Sequence, residues 1–274
     1  MDDRLRWVLE AFELRAHVFQ AGPMCGSSKY GEQGGRGFIH ILQSGQLTVE
    51  LRGATHFFAE PTLIFFMGPV GHRLIPNAEA ESVCASFEFG GSLGNPLVRA
   101  LPDMFSLRLS DAPGLAKALD LLFDEAREKH CGYQAVLDRM IEVVIIGLLR
   151  DLMDANRLKL GLLAGLADVR LAKAINAMHA QPASGWTLDR LAEQAGMSRA
   201  RFAKRFHDVV GTTPLAYLTE WRIGLAKSLL WRGKSLEQAA SAVGYSGATT
   251  LSRAFRGLAG ESPKSWLSGR KSQS

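Results

Sequence analysis

The stretch that decides the fold is a short segment written twice near the C-terminal end of the chain. It reads LDRLAEQAGMS over residues 188–198 and LEQAASAVGYS over residues 236–246, an offset of 48 residues. Each copy starts with leucine and alanine on one helical face, followed by a glycine and then a serine. Because glycine accepts the positive φ that ends a helix and serine caps the next one, each copy predicts a helix-turn-helix unit.

The residues after each copy also repeat, so that Phe206 and Pro214 recur as Phe255 and Pro263 at an offset of 49. Thr187 stands where it would cap the leading helix of the first unit. Apolar spacing in the second helix of each unit predicts the buried anchors. These anchors are Phe202, Phe206 and Val209 or Val210 in the first unit, and Leu251, Phe255 and Leu258 in the second.

The opposite face of each second helix is basic or hydroxylic, which suits contact with base edges and phosphates in a DNA major groove. Any solvated amphipathic helix shows such a face, but a duplicated unit favours the DNA-binding interpretation. The outward residues are Arg199, Arg201, Lys204 and Arg205 in the first unit, and Thr249, Ser252, Arg253 and Arg256 in the second.

The segment between the two units, Pro214 to about Trp231, has helical apolar spacing and a proline suited to a first helical turn. At 1.5 Å per residue this helix is roughly 27 Å long. Two recognition helices held that far apart can reach successive major grooves, which lie about 34 Å apart on one face of DNA.

The net charge of +5 is unevenly distributed. From Asp168 onward the 16 Lys and Arg residues exceed the 7 Asp and Glu residues, a net charge of +9, whereas the rest of the chain carries −4. A basic domain joined to a mildly acidic one is typical of a nucleic-acid binder with a separate control domain, because phosphate neutralisation drives affinity for DNA.

The region from Leu171 to Leu267 resembles the DNA-binding domain of the AraC family of transcription regulators, above all through GYSGATTLSRAF at residues 244–255. This resemblance implies promoter DNA as the partner and RNA polymerase as a further one, with activation as a typical outcome. It places the base-reading positions on Ala200, Arg201, Ala203, Lys204, Thr249, Ser252 and Arg253. Because some of these residues are small, the operator sequence cannot be inferred from the amino-acid sequence.

The N-terminal half has short β-rich segments separated by glycines, which predicts a small β-barrel or jelly roll. Its PVGHRL segment at residues 69–74 resembles the second motif of cupin-type sensor domains. The fold class expected is therefore α+β, with a cupin-like barrel and a helical pair followed by an all-α domain. The strands expected are Gly37–Leu42, Gln46–Leu51, Leu63–Phe66 and Val83–Phe89.

Three interpretations apply to the cysteines and histidines of this half. Cupin metal sites carry an HxH pair that is missing at His40, so no cofactor is the first expectation. His40, His72, Cys25 and Cys84 supply nitrogen and sulfur ligands for a metal ion if the barrel gathers them. Without a signal function, these residues are ordinary strand and core residues.

The third interpretation makes Cys25 and Cys84 redox sensors, because Cys25 lies in a Gly/Ser-rich loop where a thiol is accessible. Cupin-type relatives that respond to oxidants carry cysteines in similar places. Cys131 is expected to be incidental.

Two helices, 112–129 and 133–157, follow the barrel, and the second carries a long stripe of leucine, isoleucine and valine. Such a stripe packs on its own domain or, as in relatives, forms a homodimer, which is the interpretation we prefer. The predicted divisions are a sensor domain over 1–110, dimerisation helices over 111–157, a linker over 158–168 and the DNA-binding domain over 169–270.

The sequence thus predicts a cytoplasmic, non-enzymatic DNA-binding regulator controlled by a signal at its N-terminal domain. The chain opens on acidic residues, and its longest apolar run is too short to span a bilayer. The alternatives are a cupin metalloenzyme with a DNA-binding tail and an architectural DNA-binding protein that responds to no signal.

Overall fold

The computed structural model describes residues 3–31, 36–77, 79–89, 102–155, 158 and 160–271. Contacts divide the chain into two units. The sensor unit comprises Leu14–Glu88 and the described residues from 102 to 152. The C-terminal unit comprises the described residues up to Glu13 and those from Met153 onward. No helix in the described ranges is long and apolar enough to cross a membrane.

The strands of the sensor unit form two antiparallel sheets, which agrees with the jelly-roll form of the predicted cupin-like domain. One sheet has the order β1-β8-β3-β6-β9 and the other has the order β2-β7-β4-β5. The strands are β1 Leu14–Pro23, β2 Ser28–Tyr30, β3 Gly37–Ser44, β4 Leu47–Leu51, β5 Ala54–Phe58, β6 Thr62–Phe66, β7 His72–Pro76, β8 Glu81–Phe89 and β9 Phe105–Arg108. The four predicted strands correspond to β3, β4, β6 and β8 within one or two residues.

Burial explains why these strands do not all show the alternation of apolar and polar residues. All five residues of β6 are buried, so this strand reads as a continuous apolar run and not as an alternation. The interior between the sheets is filled by aliphatic and aromatic side chains that include Leu42, Ile64, Phe66 and Leu74. This core fixes which face of each strand points inward.

The helical pair follows as α2 Ala116–Glu128 and α3 Tyr133–Asp154. The apolar stripe of α3 is already buried within one chain, with Leu137, Ile141 and Leu148 fully inaccessible. The buried residues of the stripe thus pack on their own domain, the first of the two alternatives, and dimerisation through α3 stays a prediction. Residues 156 and 157, at the end of the predicted helix, lie outside the described residues.

Helix α3 also covers a sheet edge. The Asp138 carboxylate accepts a hydrogen bond from the Val18 amide at 2.7 Å, and the Gln134 side chain donates to the Val18 carbonyl at 2.7 Å. An edge strand otherwise exposes unpaired backbone groups. Polar side chains of α3 thus satisfy β1 while its apolar stripe fills the core.

The C-terminal unit is helical, as predicted, and contains both helix-turn-helix units. The first is formed by α6 and α7, the second by α9 and α10, and α8 lies between them. The helices are α4 Leu162–Ala167, α5 Val169–Ala180, α6 Leu188–Gln194, α7 Arg199–Val210, α8 Pro214–Trp231, α9 Leu236–Ala242, α10 Ala248–Ala259 and α11 Pro263–Lys271. Helix α8 has the predicted bounds.

The turn glycines behave as the repeat predicts, since Gly196 and Gly244 have φ values of 60° and 82°. The predicted serine caps are wrong. Ser198 stands at the N-cap of α7 but its side chain makes no capping bond, and the N-cap of α10 is Gly247 rather than Ser246. The Glu237 carboxylate accepts from the Ala248 amide at 3.1 Å and replaces the missing cap.

The anchors of both units are confirmed except for one. Phe202, Phe206, Leu251 and Phe255 are fully buried, whereas the side chain of Leu258 is 39% exposed. The Thr187 cap is confirmed, because its hydroxyl accepts from the Arg190 amide at 3.2 Å.

Two segments belong to a different unit from the one predicted. Helix α1, Arg6–Ala11, was assigned to the sensor domain but packs on α5 of the C-terminal unit, as its buried Val8 and the buried Phe12 require. The predicted linker over 158–168 contains α4, whose leucines are buried against α5 and α7.

The two helix-turn-helix units meet at a tight joint beside α8. Arg222 of α8 donates to the carbonyls of Pro182 and Ser184 at 2.7 and 3.0 Å. A Cβ atom at Gly244 would lie 2.5 Å from the Ala183 Cα, too close for any other residue. The loop before the first unit is therefore packed directly against the turn of the second.

Replacing the two turn glycines tests this joint. Gly196→Ala meets no atom within 4 Å and only incurs the positive φ, so we expect a loss of roughly 1 kcal/mol in the free energy of unfolding. Gly244→Ala adds the clash with Ala183, and we expect a further loss of about 1 to 3 kcal/mol. Urea unfolding of both variants measures the difference, and equal losses would contradict the joint.

Candidate nucleic-acid interface and sensor site

The ten predicted DNA-contact residues lie on the two recognition helices, α7 and α10. Eight of them are exposed, and Ala203 and Ser252 are partly exposed. The exposed face of each recognition helix is opposite the phenylalanine anchors that hold it in its unit. Both helices consequently present their polar residues to solvent.

Three of the four Arg and Lys residues of α7 are placed beside a carboxylate. Arg199 pairs with Asp189 at 3.2 Å, and Lys204 pairs with Asp208 at 2.6 Å. The Arg205 Nε donates to the Asp168 carboxylate at 2.6 Å. Exposed pairs such as the first two contribute little to stability, so DNA phosphates can replace the carboxylates.

The Arg205–Asp168 pair differs from the other two because Asp168 is also the N-cap of α5. Its carboxylate accepts from the amides of Arg170 and Leu171 at 2.9 and 3.0 Å. Burial alone would raise the pKa of Asp168, but these hydrogen bonds and Arg205 lower it below its ordinary value. Arg205 therefore fixes α7 to α5, which makes it a weaker candidate for base reading than the sequence suggests.

Helix α10 has a simpler electrostatic arrangement. Within the described parts of the chain, Arg253, Arg256 and, on α7, Arg201 have no carboxylate within ion-pair distance. Ala248 occupies the position that Arg199 has in the first unit, and Glu237 caps the helix backbone there instead of pairing with a side chain. Arg201, Arg253 and Arg256 are the cations most available for DNA.

In the sensor unit the two sheets bring His40 and His72 together. Their Nε2 atoms lie 2.8 Å apart, and both side chains are buried. The His72 Nδ1 lies 2.7 Å from the Val70 carbonyl oxygen, which only accepts, so this nitrogen carries the proton. It follows that His40 Nε2 donates to His72 Nε2, and that His40 Nδ1 has a lone pair without a partner in the described structure.

Burial keeps this pair neutral. It lowers the pKa of His40 well below the ordinary value, with a further decrease from the neighbouring His72, and it also lowers the pKa of His72. Aromatic rings enclose the pair, since Phe66 stacks on His72 at 3.8 Å and Tyr30 lies 4.8 Å from the His40 ring.

Cys84 and Tyr30 complete the cluster. Strand register places Cys84 opposite His40 and Tyr30 opposite His72, so that all four side chains converge between the sheets. The Ser82 hydroxyl lies 3.6 Å from the Cys84 sulfur, and burial raises the pKa of both the Tyr30 hydroxyl and the Cys84 thiol to about 12. The Cys84 sulfur is therefore a protonated thiol in this state.

The four-residue metal set predicted from the sequence is only partly assembled. Cys25 is exposed, whereas Cys84, His40 and His72 are buried. In the described ranges, no three or more His, Cys, Asp or Glu side chains are grouped in a way that could hold a metal ion. Metal binding by these residues therefore stays a prediction.

Tyr30 is the member of the cluster that the sequence analysis missed. Strand β2 has three residues, too few for an alternating pattern to mark it. Only the pairing of β2 with β7 reveals that its tyrosine faces the histidines.

Comparison with known proteins identifies both parts of the chain. Residues 3–154 match the Cupin family, and residues 191–269 match a helix-turn-helix domain family. The chain is 34% identical to the HTH-type transcriptional regulator AlkR of Acinetobacter baylyi over 63% of this chain and 58% of that protein. The chain thus spans less than two thirds of the length of AlkR.

Two further similarities extend over different parts of the chain. The RCS-specific HTH-type transcriptional activator RclR of Escherichia coli is 28% identical over 79% of this chain and 78% of that protein. The solved DNA-binding domain of the global transcriptional factor AdpA, in complex with a target DNA, is 26% identical, with a TM-score of 0.35. The match covers 37% of this chain and 93% of that domain.

Proposed function

Since the chain belongs to the AraC family of regulators with a cupin-type N-terminal domain, we propose that it binds promoter DNA sequence-specifically under the control of its sensor unit. The observation that carries this proposal is the pair of exposed, basic recognition helices on either side of α8. We expect no catalytic turnover, a cytoplasmic location and contact with RNA polymerase at the promoter.

The spacing of the two units supports reading of two groove segments by one chain. Helix α8 has 18 residues, which corresponds to about 27 Å. Arg253 has no carboxylate within ion-pair distance among the described residues, and it lies on the exposed face of α10, where a guanidinium can donate two hydrogen bonds to guanine. Arg201 has the corresponding role on α7.

Arg253→Ala tests direct base reading by the second unit. We expect it to weaken binding to a duplex selected from a random library by roughly 1 to 3 kcal/mol, with a smaller loss on unselected DNA. Arg205→Ala is the matched control, because loss of its pair with Asp168 should lower stability more than specificity. Fluorescence anisotropy measures the affinities, and an equal loss on both duplexes would assign Arg253 to phosphate contact.

The second part of the proposal concerns the signal, which we propose to be oxidation of Cys25 and Cys84. Cys25 is exposed and therefore reached first, for example in the reaction RSH + OCl⁻ → RSOH + Cl⁻. A sulfenic acid condenses with a second thiol to a disulfide and water. Since Cys84 is buried beside Tyr30 and the histidine pair, its oxidation would disrupt the packing between the two sheets.

Cysteine variants test this signal. Stoichiometric hypochlorite should change the affinity of the full chain for selected DNA, and Cys25→Ser or Cys84→Ser should abolish the change. Cys131→Ser is the matched control, since Cys131 is also exposed but lies in the turn between α2 and α3. An unchanged response to hypochlorite in the Cys25→Ser, Cys84→Ser double variant would contradict the proposed redox signal. It would not contradict the proposal that the chain binds promoter DNA.

The third part is a homodimer formed by a different face of α3 from the one predicted. Val136, Met140 and Val143 recur at i, i+4 and i+7, and each is at least partly exposed. Val143 is 56% exposed, although it lies on a helix whose opposite face is fully buried. An exposed apolar row of this kind suits a self-complementary contact about a two-fold axis.

Val143→Asp tests this face. Sedimentation velocity at micromolar concentration should show a dimer for the unmodified chain and a monomer for the variant, because a carboxylate would be buried at the contact. Val169→Asp is the matched control at an exposed valine of the C-terminal unit, and we expect it to stay dimeric. A monomeric unmodified chain would overturn the proposed dimer.

A further inference from the structure

Helix α4 follows α3 along the chain and packs closely on the first recognition helix, α7. A Cβ atom at Gly165 of α4 would lie 2.8 Å from the Ile175 Cδ1 and 2.9 Å from the Val210 Cγ2. Both distances are shorter than real Cβ contacts, so α4 approaches α5 and α7 this closely only because a glycine stands there. The position of α4 is therefore tied to that of α7.

The residues just before α4 hold the C-terminal end of α7. The Gly161 amide donates to the Val209 carbonyl at 2.9 Å. This carbonyl lies in the last turn of α7, where a helix offers no donor of its own. A Cβ atom at Gly211 would lie 3.4 Å from the Leu160 Cγ, so Leu160 covers the left-handed residue that ends α7. One short segment thus fixes this end of the recognition helix.

The other end of α4 is held by Arg4, a residue far away in sequence. The Arg4 guanidinium donates to the carbonyls of Leu166 and Ala167, the last residues of α4, at 2.9 and 3.2 Å. It also lies 4.0 Å from the carboxylate of Asp154, the last residue of α3. A cation at this end of a helix satisfies free carbonyls and their partial negative charge. Arg4 therefore stabilises the position of α4.

The second recognition helix is held by other elements. Helix α10 packs on α8, α9 and α11, and its anchors Leu251 and Phe255 belong to one buried cluster with residues of those helices. Because a close-packed interior transmits a displacement to the side chains in contact with it, a shift of α4 acts first on α7. The two recognition helices are thus positioned by different supports.

We propose that α4 positions the first recognition helix, so that Gly165 and Arg4 determine how the chain reads one half of its DNA site. This inference rests on the proposed sequence-specific binding of promoter DNA. Both are positioning residues that act through α7, since Gly165 is buried and Arg4 binds the backbone of α4.

The test measures the affinity of the full chain, by fluorescence anisotropy, for duplexes in which one half-site has been replaced. The starting duplex is selected from a random library, and each half is exchanged in turn for unselected sequence. Either exchange should weaken binding of the unmodified chain by at least about tenfold, because several base pairs are mismatched. The half whose exchange costs Arg201→Ala least is the one that α7 reads.

Gly165→Ala should displace α4 from α7, so that exchange of the α7 half-site costs less than about threefold, with the penalty at the α10 half-site unchanged. Arg4→Met removes the donors to α4 and should lower the α7 penalty by at least about twofold. Gly269→Ala is the matched control in the same unit. A Cβ atom there meets no atom within 4 Å, so both penalties should be kept.

Circular dichroism shows whether each variant is folded, and Arg4→Met carries the test if Gly165→Ala is not. An equal decrease of both penalties would assign these residues to general stability and overturn the proposal. Unchanged penalties in the folded variants would also overturn it. An unmodified chain with no penalty at either half would instead contradict the proposed sequence-specific binding itself.

Discussion

The burial of helix α8 is the constraint on which the DNA-binding unit depends. Residues on several of its faces are inaccessible, including Tyr217, Trp221, Ile223 and Ala226. Both helix-turn-helix units pack on it, and its Lys227 ammonium lies over the rings of Phe255 and Trp266 at 5.4 and 5.7 Å. A helix held on both sides cannot bend freely, so it fixes the separation and relative orientation of α7 and α10.

The features that the sequence predicted are those with a local physical cause. The repeat could be predicted without knowledge of the fold because each of its signals is local. Gly196 and Gly244 take positive φ, Pro214 lies in a first helical turn, and Phe206 lies one helical turn after another phenylalanine. The errors depend on neighbours distant in sequence. The cap of α10 comes from Glu237, eleven residues before Ala248, which no serine pattern reveals.

The same distinction explains the sensor site. His40, His72 and Cys84 were identifiable as reactive residue types, but their convergence with Tyr30 results from strand register across two sheets. The structure also changes the chemistry expected of them, because burial leaves neutral imidazoles and a protonated thiol where the sequence suggested metal ligands. Likewise, the apolar stripe of α3 is buried in the core of the sensor unit. Helix α1 belongs to the C-terminal unit because its apolar residues and Phe12 are buried there.

The central claim is that one chain reads two groove segments from a fixed spacer. Hydroxyl-radical footprinting of the full chain on a duplex with a single selected site tests it most directly. Two protected segments about 10 base pairs apart on one face of the DNA are predicted for each bound chain. A single protected segment per chain, unchanged when α10 loses Arg253 and Arg256, would contradict it.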